Sequence, residues 1–220
     1  MSAPILQLSG FFPRAFTPLN LWIWQKLEDS CLEADAALHS WKARLFGNAR
    51  GVVLEIGAGT GINRKYLGYP VTYLGLEPEP NSYLQLNAIA DTAFCAVAES
   101  IPLPAESVDC IVCSMTLCSV KDLSLTLNEV YRVLRPDGRF LLIEHVGAPK
   151  ATWLRSFQRL FRPACQCLDR GCRPDRDTAQ ALRSSRLLIE DLTEFQLKLK
   201  GPLIRDWIAA SLIKPNASYI

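Results

Sequence analysis

Residues Val52-Val53-Leu54-Glu55-Ile56-Gly57-Ala58-Gly59-Thr60-Gly61 join an apolar run to an acid and three alternate glycines. Glycines spaced in this way let the backbone turn sharply at positive φ and let a ligand lie against it. A dinucleotide-binding turn needs its third glycine one residue later, where this chain has Ile62. A phosphate loop needs Gly-Lys-Ser/Thr, which Asn63-Arg64-Lys65 does not supply. Glu55 inside the motif would repel a phosphate and suits an ammonium group. Glu77 follows twenty-two residues after Glu55. At about that separation a doubly wound sheet places a carboxylate to accept two hydrogen bonds from a ribose diol. Together these residues describe a cradle for a cationic nucleoside.

The elements that must position them alternate along the chain. Val52–Ile56 reads as a first strand, Arg64–Leu67 opens a short helix, and Val71–Leu76 is a second strand. A helix over about 81–90, a third strand over Thr92–Ala96 and a fourth over Val108–Ser114 follow. Leu123–Leu134 is an amphipathic helix closed by the turn Arg135-Pro136-Asp137-Gly138, and Arg139–Glu144 is a fifth strand. Strands alternating with helices predict an α/β, doubly wound, mostly parallel sheet. Two late runs, Leu187–Leu192 and Phe195–Leu199, would add a closing hairpin and complete seven strands. Upstream, Thr17-Pro18 can start a helix. Trp24, Leu27, Cys31, Ala34, Leu38, Trp41 and Leu45 recur at helical spacing toward Gly47. Residues 1–46 are thus expected to form a helical lid, and 47–220 the main domain. The aromatic stretch 10–24 suits either that lid or a membrane interface.

An acid followed by three alternate glycines resembles motif I of the class I S-adenosylmethionine-dependent methyltransferases. The resemblance implies a Rossmann-like methyltransferase fold and S-adenosyl-L-methionine as cofactor. Its amino-acid part would lie on Glu55, Gly57, Ala58, Gly59 and Gly61, and its ribose on Glu77 and Pro78, with Ser114 ending the fourth strand nearby. Ala98-Glu99-Ser100-Ile101-Pro102-Leu103-Pro104 is similar to the family's adenine-side stretch. In relatives an acid before that alanine bonds the adenine amino group. Here the position is Val97, which leaves the Ala98 N–H or the Glu99 side chain to take it. Leu117-Cys118-Ser119-Val120-Lys121, Glu144-His145-Val146 and Asp169-Arg170-Gly171-Cys172 resemble one branch, the small methyltransferase-like alkyl-thiol S-methyltransferases. The implied reaction transfers a methyl group to a small, fairly apolar acceptor, a thiol before a lipid, quinone or arsenite. Methyl transfer from a sulfonium is an in-line displacement that needs alignment and exclusion of water. A thiol acceptor reacts as thiolate, and His145, ending the fifth strand at the ligand-binding edge, is the candidate general base or thiolate stabiliser. A catalytically silent scaffold would have no need of Glu55, the glycines and Glu77 together.

Composition sets the outer limits. The chain has 220 residues, 49% hydrophobic and 21% charged, enough for one domain with a sizeable core. It has no long apolar run of spanning length and no secretory signal pattern, so a cytoplasmic enzyme is expected. Animal members of the branch carry a hydrophobic N-terminal anchor. The Pro- and aromatic-rich start here suggests at most a peripheral membrane contact. Residues 150–186 hold nine basic against three acidic side chains, net +6, while the whole chain is +2. That substrate-side insertion, 147–186, suits an anionic acceptor, a membrane surface or a solvated face. Nucleic acid is not expected, since no finger spacing or RNP-type strand is present. Cys165, Cys167 and Cys172 give C-x-C-x4-C, which matches no standard zinc spacing, and no metal is expected.

Overall fold

The computed structural model describes residues 36–197 and 202–216. Most of the expected N-terminal lid, with its aromatic stretch and the start of its helix, lies outside these residues. What is described of that helix is α1, His39–Phe46, which ends at Gly47 as the spacing predicts. Phe46 and Lys42 are its buried side chains.

A single seven-stranded sheet organises the rest in the order β3-β2-β1-β4-β5-β7-β6. Its strands are β1 Gly51–Ile56, β2 Val71–Leu76, β3 Thr92–Phe94 and β4 Val108–Ser114, then β5 Leu134–His145, β6 Leu188–Gln196 and β7 Asp206–Ile213. β1, β2 and β4 pair in parallel and read as almost continuous apolar runs, as strands covered on both faces must. Between them run a 3-10 helix Ile62–Tyr66, α2 Pro80–Leu86 and α3 Leu123–Val133, followed later by α4 Trp153–Leu168 and α5 Thr178–Arg183. One apolar layer, including Leu54, Leu76, Ile111, Leu127, Val130 and Leu142, packs under α3 and α5. The other, including Val53, Tyr73, Val112, Leu141 and Trp207, lies under α1.

Three expectations need correction. The closing hairpin is not Leu187–Leu192 with Phe195–Leu199. It is one long strand, Leu188–Gln196, paired antiparallel with Asp206–Ile213. β6 is the sheet edge and mostly exposed, so half-buried Thr193 and exposed Glu194 continue the strand at little cost. β7 is buried between β5 and β6, where packing carries Ala209 and Ala210 despite their weak strand preference. The Arg135–Gly138 turn does not precede β5; it forms a bulge within it. The register with β4 jumps between Val108 and Cys110. Asp137 there takes φ 63. The bulge is held by Asp137 N–H to the Lys214 carbonyl and Lys214 N–H to the Gly138 carbonyl, both 2.9 Å. Finally, the helix after β2 is shorter than expected, ending at Leu86.

The strand order runs outward from β1 to β2 and β3 on one side and to β4 and β5 on the other. Ile56 pairs with Cys113, so the glycine turn after β1 and the loop after β4 leave the sheet side by side. That crevice is where open α/β sheets bind ligands.

Candidate functional site

The turn after β1 is held from three directions. Ala58 N–H donates to the Leu76 carbonyl at 3.0 Å and Gly61 N–H to the Ala58 carbonyl at 2.8 Å. Gly59 N–H donates to Glu77 Oε2 at 2.8 Å. Gly57 and Gly59 have φ of 63° and 55°, a region costly for residues with a Cβ. A Cβ on Gly57 would stand 2.3 Å from the Thr116 side chain, whereas one on Gly59 would meet nothing within 4 Å. Gly57 is thus a packing requirement, and Gly59 borders open space.

Glu55 lies under this turn, 1% exposed. Asn63 Nδ2 donates to its Oε1 at 2.7 Å and the Tyr73 hydroxyl to its Oε2 at 2.6 Å. Lys42 Nζ donates to Asn63 Oδ1 at 2.9 Å. Burial pushes the Glu55 carboxyl up to about 7, against the pull of Tyr73, Asn63 and Lys42. Sequence reasoning missed Lys42, Asn63 and Tyr73. The only signal was a buried acid whose charge had to be matched from elements not adjacent in the chain.

Glu77 is buried at the end of β2. Besides Gly59 it accepts from the Glu79 N–H at 3.0 Å. Each oxygen keeps a second lone pair for a ligand. Pro78 is exposed beside it. Glu79 caps α2, accepting from the Asn81 and Ser82 N–H groups. On the adenine side, Ala98 is buried. Glu99 Oε1 accepts from Lys121 N–H at 2.6 Å and Asp122 N–H at 3.2 Å, which ties it to the start of α3. Val97 is 43% exposed. Ser114 is buried at the end of β4, and its Oγ has no hydrogen-bond partner among the described residues.

The loop after β4 connects this cradle to His145. Thr116 Oγ1 donates to the Gly57 carbonyl at 3.4 Å. The Thr116 and Leu117 N–H groups both donate to Glu144 Oε1, at 2.7 and 2.9 Å. Burial raises the Glu144 carboxyl to about 7. His145, next along β5, is 4% exposed. Its Nε2 lies 3.4 Å from Cys172 Sγ, and its Nδ1 has no partner among the described residues. Cys118, after the β4 loop, completes a buried trio with His145 and Cys172. Burial works against the imidazolium, but the Cys118 thiol beside it raises His145 to about 9. Contact with Cys172 and then with His145 lowers the Cys118 thiol. Of the C-x-C-x4-C cysteines only Cys172 reaches His145; Cys165 is buried elsewhere and Cys167 is exposed. A cleft of about 550 Å³ lined by Trp41, Arg44, Arg139 and Glu190 touches neither the glycine turn, Glu55 and Glu77 nor the trio around His145.

The sequence matches the family described as "Methyltransferase domain" over residues 54–142. It is 34% identical over 171 residues to the human protein named thiol S-methyltransferase TMT1A, covering 74% of this chain and 70% of that one. The chain belongs to the S-adenosylmethionine-dependent methyltransferases. Its cofactor is accordingly S-adenosyl-L-methionine. A second human relative of this methyltransferase, thiol S-methyltransferase TMT1B, is 28% identical over 194 residues, 80% of this chain and 77% of that protein. The fold agrees with that of YcgJ from Bacillus subtilis, with a TM-score of 0.65 at 17% identity over 83% of this chain and all of that one. A geranyl diphosphate methyltransferase in complex with S-adenosylmethionine gives the same TM-score at 13% identity, over 87% of this chain and 90% of that one. Among the described residues no helix is long and apolar enough to cross a membrane.

Proposed function

We propose that this methyltransferase S-methylates a small, fairly apolar thiol. The relation to two human proteins named thiol S-methyltransferases carries the choice of thiol. The residues present suit the cofactor. Gly59 leaves open the space its side chain would fill, the Ser114 hydroxyl is buried and unpartnered, and two buried acids flank the turn. In this reading Glu55 supplies the negative charge beneath Gly57, Ala58, Gly59 and Gly61. Glu77, followed by Pro78, takes the ribose hydroxyls, and Ala98 borders the adenine. Glu99 shapes that border by holding the turn before α3. When bound, S-adenosylmethionine supplies an electrophilic methyl group on a cationic sulfur.

The chain's own task is to align the acceptor sulfur, exclude water and favour the thiolate. His145 is the residue assigned to that last task, from the end of β5 beside the loop that touches Gly57. Residues 147–186 form the acceptor side, since α4 and the turn after it bring Asp169 and Cys172 to His145. Residues 1–46 are assigned the part of a lid, with 47–220 as the catalytic domain. α4 exposes Trp153, Leu160 and Phe161 among its arginines, which favours apolar acceptors and a peripheral contact with a membrane surface. Replacing His145 with Ala should cut turnover of a small thiol at least tenfold and leave S-adenosylhomocysteine affinity unchanged. Unchanged turnover would remove His145 from the mechanism.

A further inference from the structure

Three segments distant in sequence converge on one buried point. Cys118 comes from the loop after β4, His145 from the end of β5 and Cys172 from the turn after α4. Their Sγ, imidazole nitrogen and Sγ all lie within 4.8 Å of one another, and the three residues are only 2%, 4% and 3% exposed. The backbone holds this arrangement independently of the side chains. Arg173 N–H donates to the Cys118 carbonyl at 3.0 Å and Cys172 N–H to the Asp169 carbonyl at 2.8 Å. Gly171, at φ 90°, lets the turn lie against the Ser119 carbonyl, 3.1 Å from where a Cβ would be.

We propose that Cys118, His145 and Cys172 bind a thiophilic divalent cation of the zinc class. Two thiolates and an imidazole are the donor set that zinc selects over magnesium or calcium. A tetrahedral ion with Zn–S about 2.3 Å and Zn–N about 2.0 Å separates its donors by roughly 3.5–3.8 Å. The 3.4 Å between His145 Nε2 and Cys172 Sγ already matches that separation, and small side-chain rotations bring in Cys118. Binding releases the thiol protons to solvent. The surrounding charges are mixed. Glu144 sits beside His145 and Asp169 beside Cys172, and the buried Arg176 guanidinium donates to the Leu117 carbonyl. Asp169 contacts Cys172 but lies outside the trio, so the fourth position falls to solvent or to an acceptor thiol. With the ion bound, His145 favours the thiolate as a ligand of the cation and not as a free base. The spacing of Cys165, Cys167 and Cys172 could not show this site, because the second thiol comes from Cys118, fifty-four residues before Cys172.

The test uses the full chain, purified reduced and equilibrated with zinc or cobalt(II). The proposal expects roughly equimolar zinc after gel filtration and, with cobalt, thiolate charge-transfer absorption in the near ultraviolet. That absorption should be lost in Cys118→Ser and in Cys172→Ser and kept in Cys167→Ser. Should the first two variants fail to fold, alkylation of the wild-type chain replaces them. Zinc should then protect Cys118 and Cys172 while exposed Cys167 reacts. A small thiol that shifts the cobalt bands occupies the fourth position, and unshifted bands leave that position to solvent; both outcomes keep the ion. Absent cobalt bands, alkylation that zinc does not slow, or isolation of a Cys118–Cys172 disulfide would overturn the site. S-adenosylhomocysteine calorimetry on the same samples reports the methyl-donor reading separately, because that cradle does not include the trio.

Discussion

Gly59 donates its backbone N–H to Glu77 Oε2 at 2.8 Å, so the glycine turn after β1 is fastened to the end of β2. The acid expected to hold a ribose therefore also sets the shape of the turn expected to hold the amino acid. Removing its carboxylate leaves two backbone donors, Gly59 and Glu79, without their acceptor. Glu77→Ala, which loosens the turn and removes the acceptor proposed for the ribose hydroxyls, should weaken S-adenosylhomocysteine by at least about tenfold, or about 1.4 kcal/mol. Glu77→Gln, which keeps an acceptor oxygen, should lose less. Isothermal calorimetry on the two variants checks the order, and equal losses would contradict the double role.

Gly57 and Gly59 should respond differently to alanine. Both have positive φ, with a strain of about 1–2 kcal/mol for a non-glycine residue. Gly57→Ala adds a Cβ at 2.3 Å from Thr116, against the loop that leads to Cys118, so its melting temperature should fall clearly. Gly59→Ala meets open space, so it should carry the backbone strain alone and lose most of its cofactor affinity. It should melt a few degrees below the wild type but above Gly57→Ala. Thermal melts with and without S-adenosylhomocysteine distinguish the two. A Gly59→Ala protein that keeps full affinity would mean that the space beside Gly59 is not the ligand's.

Cofactor affinity should depend on pH through Glu55. Burial holds this carboxyl at about 7 in the ligand-free protein, so at pH 6 it is mostly protonated and offers an ammonium group no charge. Binding a cation favours the carboxylate, and affinity should rise about tenfold from pH 6 to pH 8. The stability effect has the opposite sign. The folded pKa lies above the ordinary 4.5, so this group's contribution to folding is present below that value and is lost as pH rises through about 7. Glu55→Gln should flatten the affinity profile. A wild-type profile that is already flat would place the ammonium elsewhere.

Much of this architecture was legible because parallel central strands announce themselves as apolar runs. β1, β2 and β4 fall within a residue of their expected bounds. The glycine turn was legible because backbone geometry leaves a local trace. β7 was missed because its Ala209 and Ala210 are strand residues only by virtue of burial between β5 and β6. The Glu55 network and the trio around His145 were missed for another reason. Each joins residues from three or more elements, and nothing in the spacing of Lys42 to Asn63 or of Cys118 to Cys172 marks them as neighbours. Which N–H groups Glu99 accepts from is likewise a matter of tertiary packing at the start of α3.

The central claim is methyl transfer from S-adenosylmethionine to a small thiol. Its most direct test is mass-spectrometric analysis of products after incubating the protein with S-adenosylmethionine and a panel of thiols, phenols, amines, quinones and arsenite. The account predicts methyl thioethers from the apolar thiols, formed in step with S-adenosylhomocysteine. Unmodified thiols beside turnover of another class would contradict it.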